Sequence, residues 1–211
     1  EGINKLNAID IKYAEQLGYR IKLLGITKRM PDGIELRVHP TLIPAKRLIA
    51  NVEGAMNAVL VNSDAVGATL YYGKGAGSEP TASAVIADLV DIARLESVNP
   101  EHRVPPLAFQ PDAMKNTPVL PMSEVTTSYY LRMQVKDQPG VLAEITRILA
   151  DLNISIDAFL QKEPQEGETL VDIIILTHLT QEKNMDAAIE KVENLSTVMG
   201  KVTKIRLEEL M

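Results

Sequence analysis

The stretch with the clearest chemical potential runs from Tyr71 to Leu95, "YYGKGAGSEPTASAVIADLVDIARL". Gly73, Gly75 and Gly77 alternate with Lys74 and Ala76, and apolar residues then recur at Val85, Ile86, Leu89, Ile92 and Ala93. The spacing predicts a strand, a glycine-rich turn and a helix, with Ser78 as the cap and Pro80 in the first turn. Glycines allow close approach to backbone N–H groups, and a helix start favours negative charge. The turn could therefore receive an anionic group such as a phosphate. It is not the dinucleotide pattern G-x-G-x-x-G within a βαβ unit, and it is not a Walker loop, because no Gly-Lys-Ser/Thr follows. Two readings stay open on spacing alone: a tight structural turn, and contact with an anionic ligand.

A second candidate is "KDQPGVLAEIT", Lys136–Thr146. A strand ends and a helix starts at Pro139-Gly140. Free N–H groups at that helix start could hold a carboxylate. A plain strand–helix turn would look similar. The remaining polar residues make no constellation. His39, His102 and His178 lack Glu-x-x-His or His-x-x-x-His spacing, so no metal is expected. Glu208-Glu209 is adjacency, not an acid–base pair. Asp172 interrupts an apolar strand and reads as a solvent-facing position.

Composition narrows the class. The chain has 211 residues, 45% hydrophobic and 24% charged, which suits a soluble globular protein of one large or two small domains. A net charge of −6 with scattered Lys and Arg argues against nucleic acid. The absence of cysteine excludes disulfides, thiolate metal sites and a cysteine nucleophile, and fits a reducing cytoplasm. The longest apolar runs, such as Ile173–Leu176, fall far short of the roughly 20 residues that span a membrane. The opening "EGINKLNAID" reads as mid-protein sequence, so something upstream is expected to be missing.

Six prolines fall between Glu96 and Ser128: Pro100, Pro105, Pro106, Pro111, Pro118 and Pro121. They predict a linker of extended segments over 97–127, dividing a region 1–96 from a region 128–211. In the latter, "YYLRMQVKD" alternates as a half-buried strand, with Leu131, Met133 and Val135 inward. "VLAEITRILADLN" spaces Leu142, Ile145, Ile148, Leu149 and Leu152 as a helix, with Asn153 as a left-handed terminator. "ISIDAFLQK" and "TLVDIIILTHL" are strands joined by the hairpin connection "EPQEGE". A helix with Met185, Ala188, Ile189, Val192 and Leu195 inward and a strand "GKVTKIRLEE" complete a βαββαβ ferredoxin-like order. In the first region, "AIDIKYAEQLG" is a helix ended by Gly18. "YRIKLLGITKRM" and "IELRVHPTLIP" are strands joined by "PDG", and two more turn near Ser63-Asp64. The expected fold is α+β: a partial mixed or antiparallel sheet with helices on one face, then the βαββαβ domain.

"DQPGVLAEITRILADLNISI" in that frame resembles an ACT domain, a regulatory module that often binds amino acids between paired copies. The stretches "QLGYRIKLLGITKR", "ELRVHPTLIP", "IANVEGAMNAVLV" and "YYGKGAGSEPTASAVIADLVDIAR" resemble the catalytic region of homoserine dehydrogenase. Together with an ACT domain they are similar to the longer bacterial form. The resemblance implies NAD(P)-dependent interconversion of homoserine and aspartate semialdehyde by a homodimer or homotetramer. It places the Rossmann domain and the catalytic lysine upstream, so no catalytic residue is assigned here; Lys22, Lys28 and Lys46 do not match. It implies cofactor contact at Gly77, with Gly75 and Ala76 shaping the turn. It implies an effector site at Asp137, Gly140, Val141 and Asn153, with threonine as the effector. Alone, the chain is expected to be inactive. Its helix would lack a partner, leaving Val85, Ile86 and Leu89 exposed, paired with another chain, or covered by the missing half. The rival is a stand-alone amino-acid-binding module on an oligomerisation platform.

Overall fold

A computed structural model describes residues 1–104, 108–161 and 169–210. Helix α1 (Ala8–Gln16) starts where Asn7 accepts a hydrogen bond from the Ile9 N–H at 3.1 Å. The chain leaves it through Gly18 at φ +81, a left-handed turn that glycine adopts without Cβ strain. Strands β1 (Tyr19–Met30) and β2 (Gly33–Pro44) then form an antiparallel hairpin, in register from Tyr19–Pro44 to Met30–Gly33. A second hairpin pairs β3 (Met56–Ser63) with β4 (Gly67–Lys74) and leads into α2 (Ser78–Glu96).

The last third runs β5 (Thr126–Lys136), α3 (Val141–Asp151), β6 (Ile156–Gln161), β7 (Leu170–Thr177), β8 (Thr180–Gln181), α4 (Glu182–Glu193) and β9 (Val198–Leu207). Its strands lie in the order β9-β5-β7-β6, the split-βαβ arrangement the sequence order predicts. The connection over "EPQEGE" lies outside the described residues. The β1–β2 hairpin joins this sheet. β2 runs parallel to β9 at Thr41–Arg206 and Leu42–Leu207, and the Glu208 N–H donates to the Leu42 carbonyl at 2.9 Å. By packing, 1–50 and 118–210 form one compact unit and 51–117 another.

Two expectations change. β5 is half-buried towards its end, where Gln134 is exposed, but its second face is covered around Tyr130 and Arg132. Tyr129, Leu131, Met133 and Val135 pack with Ile145, Leu149, Met185 and Val192 of α3 and α4. Tyr130 packs on the opposite face with Tyr13, Ala14, Leu42 and Ile205. Alternation along one strand cannot reveal a helix supplied from the other end of the chain. Asp172, expected to face solvent, lies on that same covered face, where its carboxylate accepts from the Tyr13 hydroxyl at 3.3 Å.

α3 forms because Val141, Ile145 and Leu149 fall on one face and are buried, with Ile148 and Leu152 against the same core. Leu142 points outward. The helix stops at Asn153, φ +57, by paired closing bonds: Asn153 N–H to Ala150 and Ile154 N–H to Leu149, each 2.9 Å. Ile154 and Leu149 are both buried in the core, which completes a Schellman stop.

Candidate functional site

The glycine turn lies between β4 and α2. Gly77, not Ser78, is the residue that caps the helix; it adopts φ +124 and ψ 152, and its carbonyl accepts from the Thr81 N–H at 3.1 Å. That conformation is nearly exclusive to glycine. Ser78 is already the first helical residue, so its hydroxyl makes no cap bond. Gly75 donates its N–H to Ala55 at 3.2 Å, and a Cβ there would sit 1.9 Å from Asn57 Nδ2. A Cβ on Gly77 would come 3.2 Å from Pro80 Cδ. The chain's own atoms therefore fill the space beside both glycines. What the turn can present to a cofactor is backbone at the positive end of a 19-residue helix, with Pro80 contributing no N–H.

The second turn joins β5 to α3. Asp137 is exposed and donates its N–H to Thr169 at 3.1 Å. Gly140 caps α3 at φ +94, in the left-handed region, and its carbonyl accepts from Glu144 at 3.0 Å. Asp137 and Gly140 thus lie together at one open helix start. Val141 is buried in the core, so only its backbone faces the turn. Asn153 stands beyond the far end of the 11-residue helix, which is about 16 Å long by helical rise. One copy of the domain does not bring all four residues around a single small molecule.

Sequence inspection missed two buried charge clusters. In the first, Asp10 of α1 is fully buried and accepts from Arg132 Nε at 2.6 Å, Arg132 Nη2 at 3.2 Å and the Tyr130 hydroxyl at 3.0 Å. The hydrogen bond to Asp10 raises Arg132 further, and burial followed by the Asp10 charge raises the Tyr130 phenol. In the second, Glu182 of α4 accepts from Tyr129 at 2.7 Å, Arg206 Nε at 2.8 Å and Lys204 at 2.5 Å, and also from Arg206 Nη2. Burial alone would raise Glu182, but those donors outweigh it and hold the carboxyl at about 2. The only local signal was an acid on the apolar side of each helix. His39 is also buried, and burial lowers its pKa; its Nδ1 lies 3.0 Å from the Thr41 hydroxyl. Among the described residues no group of His, Asp or Glu could hold a metal ion.

A β9-β5-β7-β6 sheet, two helices on one face and a D-x-P-G turn make an ACT-class fold, and residues 129–197 match the ACT domain model. Residues 1–90 match the homoserine dehydrogenase model. The crystal structure of a homoserine dehydrogenase from Thiobacillus denitrificans superposes with a TM-score of 0.92 at 66% identity, covering 100% of this chain and 47% of that one. Homoserine dehydrogenases of Neisseria gonorrhoeae and Pseudomonas aeruginosa are 58% and 56% identical over 210 residues, 100% of this chain and 48% of each relative. Along its whole length the chain is similar to homoserine dehydrogenases, with an ACT domain match following the homoserine dehydrogenase match. It spans about half the length of the curated relatives it matches.

Proposed function

We propose that the intact protein is a cytoplasmic homoserine dehydrogenase, and that this chain is its C-terminal part. It interconverts homoserine and aspartate semialdehyde with NAD(P), in the biosynthesis of threonine, methionine and isoleucine. The observation that carries this reading is the likeness along the whole chain, 66% identity at a TM-score of 0.92, to a homoserine dehydrogenase. The same likeness covers 1–90 as well as the ACT domain, which favours a dehydrogenase over a stand-alone binding module. NAD(P) supplies the hydride when bound, and Gly77 with Gly75 forms one edge of its site through backbone. Catalytic groups come from residues outside this chain, so the fragment alone turns over nothing.

The ACT domain senses an amino acid, threonine. Asp137 and Gly140 receive its carboxylate and amino groups at the α3 start of one copy, while Asn153 is offered by the far end of α3 in a paired copy. The outer face of the β1–β2 hairpin supports a homodimer. Leu23, Leu36 and Val38 are exposed there, and burying such apolar residues against a second copy is favourable. Pairing of ACT domains would extend the dimer to a homotetramer.

The decisive measurement is NAD(P)H oxidation by the full-length protein with aspartate semialdehyde, with and without threonine. Substrate-dependent oxidation that threonine suppresses is expected. Oxidation indifferent to aspartate semialdehyde overturns the assignment.

A further inference from the structure

We infer that Arg132 is the positioning residue through which the ACT sheet holds helix α1 and transmits effector occupancy to it. This rests on the reading that the ACT domain senses an amino acid. Arg132 lies mid-β5, on the face away from α3 and α4. Its guanidinium reaches both oxygens of Asp10, at 2.6 and 3.2 Å, and Nη2 also donates to Thr203 of β9 at 3.2 Å. Nη1 stands 3.9 Å from Asp172 of β7. One helical turn after Asp10, Tyr13 donates to that same Asp172 at 3.3 Å. Three ACT strands therefore grip one face of α1 through a charge pair whose acid is fully buried.

The chemistry makes this grip all-or-none. A buried carboxylate without its partner is strongly unfavourable, so Asp10 cannot drift from Arg132 by small degrees. α1 must follow the guanidinium or lose it.

The position of the pair on the strand supplies the signal. Arg132 is five residues before Asp137 on the same extended segment, about 17 Å by strand rise. The β5–β9 ladder breaks register at Arg132 itself. Arg132 pairs with Thr203, yet Gln134 pairs with Met199, and Gly200 between them is at φ +75. A bulge is where ladder pairing is already interrupted and a strand can be re-aimed. A ligand tightening the β5–α3 turn pulls β5 against this bulge. That turns Arg132 and carries α1, and through Gly18 the β1–β2 hairpin, with it.

The test uses the full-length enzyme and compares binding with inhibition. Arg132→Gln and Asp10→Asn should keep basal kcat within about twofold and calorimetric threonine affinity within about threefold, while the inhibition reached at saturating threonine falls roughly tenfold. Arg132→Lys should retain part of it, and the double variant should be no worse than either single variant. Variants that bind threonine and remain fully inhibited overturn the inference and leave the functional reading intact. An unsubstituted enzyme that neither binds nor responds to threonine overturns both. Should the variants fail to fold, amide exchange on the unsubstituted enzyme decides. Threonine must change protection across Ile9–Gln16, and unchanged exchange there sinks the inference.

Discussion

Glu182 shows how a single buried residue sets an acid limit on stability. It is almost fully buried and held at about 2 by Arg206, Lys204 and Tyr129, against an ordinary value of 4.5. A depressed carboxyl stabilises the fold fully above its unfolded pKa and loses that contribution as pH falls through the folded one. The window here runs from about pH 4.5 down to about 2, and the contribution lost is about 3 kcal/mol. Melting temperature followed against pH should fall across that window. Glu182→Gln should lower the melting temperature at neutral pH, because Arg206 and Lys204 lose their shared partner, and flatten the acid limb. An acid limb as steep as before would assign the sensitivity to another group. The glycine turn gives a second contrast at this scale. Gly77→Ala forces a Cβ into φ +124, a cost of about 1–3 kcal/mol, and in the full-length enzyme should raise the KM for NAD(P)H. Gly75→Ala meets the exposed Asn57 side chain and no backbone atom, and that side chain can rotate away, so the variant's stability should stay within about 1 kcal/mol of the original in thermal unfolding.

At the scale of elements, α3 separates a structural residue from a binding one. Asn153 holds a left-handed turn, so Asn153→Ala should cost about 1 kcal/mol, whereas Asn153→Gly should cost nothing in thermal unfolding. If the Asn153 amide also meets an effector, the glycine variant keeps its melting temperature and still binds threonine more weakly; unchanged affinity assigns Asn153 to the helix stop alone. α3, its stop and the βαββαβ order were legible because each is a local pattern: a 3.6-residue period, an Asn after the last apolar turn, strands of β-branched residues. The second cover of β5 was not legible, because the group that meets Tyr130 is Asp10, 120 positions away. β2 misleads in the same way. Its Glu35, Arg37 and His39 are buried, while Leu36 and Val38 are exposed. Alternation alone would assign the faces the other way. Arg37 goes inward because Glu208, 171 positions on, receives it at 2.6 Å. The glycine turn was legible as strand, turn and helix, but its cap moved by one residue because only glycine tolerates the backbone required there.

At the scale of the whole molecule, α2 is the element that this chain leaves unexplained. It has 19 residues and buries none of them. Val85, Ile86, Leu89 and Ile92 are all more than half exposed and form one apolar stripe. In proteins most helical stability comes from packing an apolar face. Covering each of these side chains would contribute roughly 1.5–3 kcal/mol. The chain spans about half the length of its relatives. In the proposed intact enzyme, α2 closes back on the cofactor domain, and the stripe is the surface that docks it. Leu89→Lys should therefore act in opposite directions on two forms of the protein. In the isolated fragment it should reduce self-association and dye binding, because a charge interrupts an exposed apolar stripe. In the full-length enzyme it should lower the melting temperature and reduce kcat/KM for NAD(P)H, because the charge is forced into a packed interface. A full-length Leu89→Lys enzyme with unchanged stability and kinetics would mean that α2 stays in solvent. The glycine turn at its head would then have no fixed position from which to meet the cofactor.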